Sequence, residues 1–208
     1  MFLEIDHVEL GYGARVVLAD FSLRAGAGEA VVVRGGNGAG KSTLLRCVAG
    51  LHPAAAGTVR VGDRAVDETS PRFRRMVAAL LDDGAWYPSL TVREHVELVR
   101  RVNTPAARPC PEPGELLDQL GLAPVADESP TRLSSGQRQR LALAMTFARP
   151  SELLLLDEPE RHLDAAGRAT AAALVGAYAA AGGTALVATH DPALGELGRS
   201  IELDRKRR

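Results

Sequence analysis

The stretch "VVVRGGNGAGKSTLL" constrains this chain more than any other. Between Gly35 and Ser42 it fits the pattern G-x-x-x-x-G-K-[ST]. An apolar run precedes it and helical spacing follows, so a buried strand must turn sharply into a helix. The small residues Gly35, Gly36, Gly38, Ala39 and Gly40, with Asn37 among them, leave backbone N–H groups free to wrap a phosphate. Lys41 then reaches the β- and γ-phosphates of a nucleotide, and the Ser42 hydroxyl can ligate Mg²⁺. Only one other lysine exists in the chain, Lys206 near the end, so the ammonium at 41 is not one of many. A loop of this kind sits at the carboxyl end of a strand in a parallel sheet, which commits the chain to an α/β fold.

The rest of the sequence agrees. "MFLEIDHVEL" alternates as a strand does, and "GTVRVGD" reads as an edge strand or hairpin arm. "RMVAALLDD", "LLLLD" and "TALVATH" read as buried strands, with an Ala-rich helix over 164–181 between the last two. From Trp86 to about Ser135 the character changes. "TVREHVELVRRV" and "GELLDQLGL" are amphipathic helices joined by the Pro-rich "NTPAARPCPEPG". This predicts one domain over 1–208, with a helical sub-domain at about 86–135 inserted into a core formed by 1–85 and 136–208.

"LLLLDEPERHLD" places two carboxylates at the end of an apolar strand, where ligands of open α/β sheets collect. Asp157 is a candidate outer ligand for Mg²⁺, and Glu158 a candidate general base for an attacking water. A second apolar strand ends at "ATHD". His190 there can donate to a γ-phosphate or orient the water. "LSSGQRQR" sets small residues against the start of a helix, a second anion-binding pattern far along the chain from the first.

Taken together, Tyr12, "GGNGAGKST", "LSSGQ", "LLLLDEPERHLD" and "ATHD" resemble the ABC-type ATPases in order and spacing, over essentially the whole chain. The resemblance implies a P-loop NTPase core with a mostly parallel sheet, an antiparallel β sub-domain and the inserted helices. It implies that Tyr12 stacks on adenine, that residues 35–43 (Thr43 included) form the Walker A loop, and that Asp157 and Glu158 form Walker B. Glu160 to Asp164, with Leu163 and Asp164 at the end, then match the D-loop, and His190 is the switch histidine. Ser134, Ser135, Gly136 and Gln137 match the signature, with Ser135 where Gly is commoner. In that family two ATPase subunits pair head to tail, each signature closing over the ATP of the other copy. One chain thus holds half of each of two active sites, which accounts for its two phosphate-binding patterns.

The family also expects a glutamine in the loop before the insertion. Counting back from "LTV" puts Asp82 there, with an oxygen for Mg²⁺ but no amide; a role as a plain turn residue stays open. Trp86 and Tyr87 open the insertion, where a separate transmembrane permease would dock; packing inside the insertion is the other reading for that pair. The expected cofactors are ATP and Mg²⁺, and the expected role is an ATP-hydrolysing transport motor held on the inner face of the cell membrane by its permease. Alternatives of the same resemblance are an ABC-type ATPase acting on DNA or ribosomes, or one of cofactor assembly such as haem export.

Composition bears on these alternatives. A net charge of −1 argues against a basic nucleic-acid surface, so no nucleic acid is expected as partner. No apolar run approaches the ~20 residues of a membrane helix. Cys47 and Cys110 lack metal-ligand spacing and read as reduced thiols.

Overall fold

The computed structural model describes residues 1–82, 84–103 and 110–203. Asp83, half of the Pro-rich connection and residues 204–208, Lys206 among them, lie outside the described residues.

The chain begins with an antiparallel hairpin, β1 (Leu3–Tyr12) and β2 (Arg15–Ala25). It continues into β3 (Ala30–Arg34) and α1 (Lys41–Val48), then the short pair β4 (Ala56–Val61) and β5 (Arg64–Ala65). Helix α2 (Pro71–Met76) leads into β6 (Val77–Leu80). Three helices follow: α3 (Val92–Val102), α4 (Pro113–Gln119) and α5 (Ser135–Phe147). The chain then alternates through β7 (Leu153–Asp157), α6 (Ala165–Ala180), β8 (Thr184–Ala188), α7 (Pro192–Gly195) and β9 (Arg199–Glu202).

Two sheets result. One is antiparallel, in the order β2-β1-β4-β5; the other is β6-β7-β8-β3-β9, with every pairing parallel. The middle strands of the parallel sheet are covered on both faces and are accordingly apolar except at their ends, where Arg34, Asp157 and Thr184 stand. Their alternation divides two cores. Leu153 and Leu155 join Val31, Val33, Leu44 and the inner face of the antiparallel sheet. Leu154 and Leu156 face the other way, onto α5, α6 and the inserted helices, where Val96, Leu116 and Leu141 share the same cluster. Helix α3 starts on a reciprocal cap between Thr91 and Glu94. Through α5 the insertion is packed directly onto the sheet.

The strand expected over "GTVRVGD" is β4, bonded on both sides, to β1 and to β5. In "RMVAALLDD" the strand is confined to Val77–Leu80, because Met76 still belongs to α2.

Candidate active site

Strand order assembles the site. β8 lies between β7 and β3, and Ala188 is level with Asp157 on one side and with Val33 on the other. The carboxyl ends of three strands therefore stand side by side, at neighbour spacings of about 4.8 Å. The glycine loop leaves β3, Asp157 and Glu158 leave β7, and Thr189 and His190 leave β8.

The loop needs its last glycine for space as well as conformation. Gly40 has φ of 101°, and a Cβ there would meet Val17 Cγ1 at 2.8 Å. Lys41, next along, opens α1 and is 6 % exposed. Its ammonium donates to the Gly35 carbonyl at 2.8 Å and to His190 Nε2 at 2.9 Å. Since Nε2 accepts, the ring proton is on Nδ1. His190 Nε2 is also 4.0 Å from Glu158 Oε1, so the imidazole edge that accepts from Lys41 faces the Glu158 carboxylate as well.

Ser42, Asp82, Asp157 and Glu158 line one cleft of ≈ 280 Å³, together with Arg46, Gln139 and Arg161. Burial pushes the Asp157 carboxyl above the usual aspartate range; a hydrogen bond with Ser42 pulls it back, and the Glu158 charge pushes it up again. Asp157 Oδ1 is buried without a hydrogen-bond partner. An orphaned carboxylate oxygen beside a serine hydroxyl is a hard-oxygen donor set of the kind Mg²⁺ takes, so the residues fit that ion. Glu158 has φ of 48°, a left-handed backbone at a non-glycine residue. Such a setting costs on the order of 1 kcal/mol or more and is typical of functional positions.

Asp82 lines the cleft, but its carboxylate is bonded by the guanidinium of Arg46. Arg46 lies one turn after Ser42 on α1, hence on the same helix face.

The signature residues are placed apart from this cleft. Ser134 caps α5: its hydroxyl accepts from the Gln137 N–H at 3.2 Å, and the Gln137 side-chain oxygen accepts from the Ser134 N–H at 2.9 Å. Ser135 lines a separate hollow with Trp86 and His162. Gly136 packs so closely on the segment after β7 that a Cβ would sit 2.9 Å from the His162 carbonyl. Arg140 of α5 bonds Asp164 at 2.7 Å, and Asp164 also accepts from the Gly167 N–H to cap α6. Those contacts, led by Gly167, hold the Asp164 carboxyl below its ordinary value. Leu163 beside it is buried.

Tyr12 stands at the end of β1, with its hydroxyl 3.5 Å from Thr43 Oγ1. Trp86 packs onto the core of the insertion and lines a groove of ≈ 350 Å³ with Leu51, Leu81, Val99 and Met145; Tyr87 is 61 % exposed beside it. Both rings flank His95, which is buried and accepts the Tyr87 N–H at 3.0 Å.

Sequence reasoning passed over Arg46, His52 and Gln139, and it placed Glu160 in the D-loop without its bonds to Thr189 and His190. Only Arg46 carried a local signal, its spacing from Ser42. Gln139 donates to the Pro159 carbonyl at 3.0 Å, a contact no local pattern announces.

Residues 18–161 match the family model described as ABC transporter. Among curated proteins, the chain is 40 % identical over 195 residues to the "Fe(3+) ions import ATP-binding protein FbpC 2" of Rhodococcus jostii, covering 91 % of this chain and 55 % of that one. It is 41 % identical over 181 residues to the "Aliphatic sulfonates import ATP-binding protein SsuB" of Albidiferax ferrireducens, covering 86 % of this chain and 62 % of that one. The chain thus spans little more than half the length of these relatives. Among solved structures, an ATP-binding subunit of an ABC transporter superposes with a TM-score of 0.86 at 26 % identity, over 100 % of this chain and 88 % of the other. The cassette MJ0796, solved as a dimer in a post-hydrolysis state with ADP and Pi, superposes with a TM-score of 0.81 at 26 % identity, over 99 % and 97 %.

Proposed function

The chain belongs to the ABC transporter family, and on that premise we propose that it is an ATP-hydrolysing subunit that works as a pair and drives a separate membrane permease. The observation that carries this reading is the convergence of Lys41, Ser42, Asp157, Glu158 and His190 at three adjacent strand ends.

In this reading Tyr12 receives the base, and residues 35–43 hold the phosphates. Ser42 and Asp157 would hold Mg²⁺, which would supply neutralisation of phosphate charge. Glu158 takes the proton of the attacking water from its place in the wall of the cleft. His190 Nε2 stands beside both Lys41 and Glu158; once the γ-phosphate takes over the Lys41 ammonium, Nε2 no longer accepts from it, and the imidazole with its proton on Nε2 donates toward that phosphate.

Ser134 to Gln137 serve the nucleotide of a second subunit. Their separation from the cleft supports this: a capped helix start with an exposed serine suits an anion delivered from outside. Leu163 and Asp164 tie that helix to the segment after Glu158, so contact with a second copy is felt beside the general base. The groove under Trp86, with Tyr87 and Leu51 exposed at its rim, suits an apolar segment of the permease. No helix among the described residues is long and apolar enough to cross a membrane. The relatives named above are named for import of Fe(3+) ions and of aliphatic sulfonates, chemically unrelated cargoes.

The test is Mg²⁺-dependent ATP hydrolysis by the purified protein, together with co-purification of a permease from native membranes. Turnover that is absent, or that survives Lys41→Ala, overturns the hydrolytic part. An ATPase recovered only without membrane protein overturns the transport part.

A further inference from the structure

Tyr12 is 55 % exposed at the tip of a hairpin, where a lone ring would be free to turn. It is held instead from two directions. Its hydroxyl meets Thr43 in the first turn of α1. Its ring meets the imidazole of His52, with centroids 4.7 Å apart and planes tilted by 42°. His52 is itself fixed, because Nε2 donates to the carbonyl of Gly11 at 3.0 Å. A carbonyl only accepts, so Nε2 carries the proton whatever the charge of the ring. One side chain thus grips both the strand residue before Tyr12 and the Tyr12 ring.

His52 also has a revealing position in the chain. It follows the end of α1, the helix whose first turn carries Lys41, Ser42 and Thr43. The rigid helix joins the phosphate-binding end to the brace under the aromatic ring. Base platform and phosphate loop are thereby set at a fixed separation from each other.

We propose that His52 is a positioning residue for the nucleobase: it holds the Tyr12 ring in place as a stacking platform, so that the base meets a pre-ordered surface. The proposal rests on the ATP-binding reading above. Pre-ordering removes the cost of immobilising the ring when the base arrives. The benefit belongs to the base alone, since His52 is placed against Tyr12 and not among the residues of the phosphate cleft.

That separation makes the test selective. Affinities of the intact protein for MgATP and for inorganic tripolyphosphate, which has no base, are measured by calorimetry, alongside turnover against ATP concentration. His52→Ala should raise Kd and KM for ATP by about two- to tenfold, the range of one aromatic pair. Turnover at saturating ATP should change by less than about twofold, because the transition-state contacts are untouched. Tripolyphosphate should bind as it does to the parent. His52→Phe keeps a ring against Tyr12 and should recover part of the lost affinity; it also carries the test if the alanine variant does not fold. Unchanged ATP affinity in His52→Ala, or equal weakening of ATP and tripolyphosphate, overturns the proposal. A parent protein that fails to bind ATP at all overturns the wider functional reading instead.

Discussion

Glu160 accepts a hydrogen bond from the backbone N–H of His190 at 2.9 Å, and the same oxygen accepts the Thr189 hydroxyl at 2.7 Å. The segment that presents the imidazole to Lys41 is therefore anchored by a carboxylate from the turn after β7. The anchoring has a cost, since the second oxygen of Glu160 is buried without a hydrogen-bond partner. If Glu160 acts by placing His190, the two residues form one functional unit. Glu160→Ala and His190→Ala should each lower turnover, and the double variant should be no slower than His190→Ala. The cycle should show a coupling of about 0.5–3 kcal/mol, as residues sharing a network do. Rate losses that simply multiply would place the effect of Glu160 elsewhere.

Glu158 separates binding from chemistry. Its carboxylate lines the cleft, whereas the proposed function gives the phosphates to the loop and Lys41. Glu158→Gln keeps the shape and removes the base. ATP affinity should stay within about threefold, while turnover falls by on the order of 10²–10⁴. An ATP-bound dimer should accumulate in size-exclusion chromatography, because in the proposed cycle it is hydrolysis that lets the halves part. Parental turnover in this variant would remove Glu158 from the mechanism.

The placement of Ser134 predicts complementation between damaged chains. Ser134→Arg blocks the approach of an anion to α5 and also removes a helix cap, a loss of about 1 kcal/mol that a thermal melt will register. Lys41→Ala disables the phosphate loop. In a mixed dimer both defects fall on one composite site and leave the other whole. Mixing the two inactive, folded variants should restore measurable hydrolysis. Demonstrated mixed dimers with no activity would exclude the trans arrangement with independent sites.

The parts of this site that were legible in the sequence are those where the chain itself sets the geometry. A buried strand running into glycines and then a helix has few ways to fold, so Lys41 and Ser42 could be placed without coordinates. The carboxylates after "LLLL" were legible for the same reason. Strand β2 was not, because its pairing with β1 is interrupted by bulges between Ile5 and Val8 and again before Leu10, which breaks the alternation. Helix α2 is too short to show a period, and β9 is a largely exposed edge strand. Contacts such as His52 on Tyr12 or Glu160 on His190 join segments far apart in sequence. Their existence depends on strand order, which single-chain periodicity does not encode.

Arg46 and Asp82 yield the final prediction. The resemblance places Asp82 where a metal-contacting glutamine is expected, yet its carboxylate is bonded by the guanidinium of Arg46 on α1. Both side chains are well exposed to solvent, Arg46 by 37 % and Asp82 by 61 %, so the pair should contribute no more than about 1 kcal/mol to stability. Its consequence is electrostatic and local. Arg46 compensates Asp82 at the cleft wall and also lowers the carboxyl of Asp157, though less than Ser42 does. A carboxylate already neutralised by an arginine is a poor metal ligand, since binding the ion would mean giving up the guanidinium. Asp82→Ala should therefore leave the Mg²⁺ concentration for half-maximal turnover within about twofold of the parent. Asp157→Ala, which removes the orphaned oxygen, should raise it by about tenfold or more. Arg46→Ala leaves Asp82 uncompensated, so it should disturb turnover more than Asp82→Ala does, and Arg46→Ala with Asp82→Ala should recover part of that loss. Mg²⁺ titrations of the four variants decide the matter. A shift in Asp82→Ala as large as that in Asp157→Ala would mean that Asp82 leaves Arg46 for the metal.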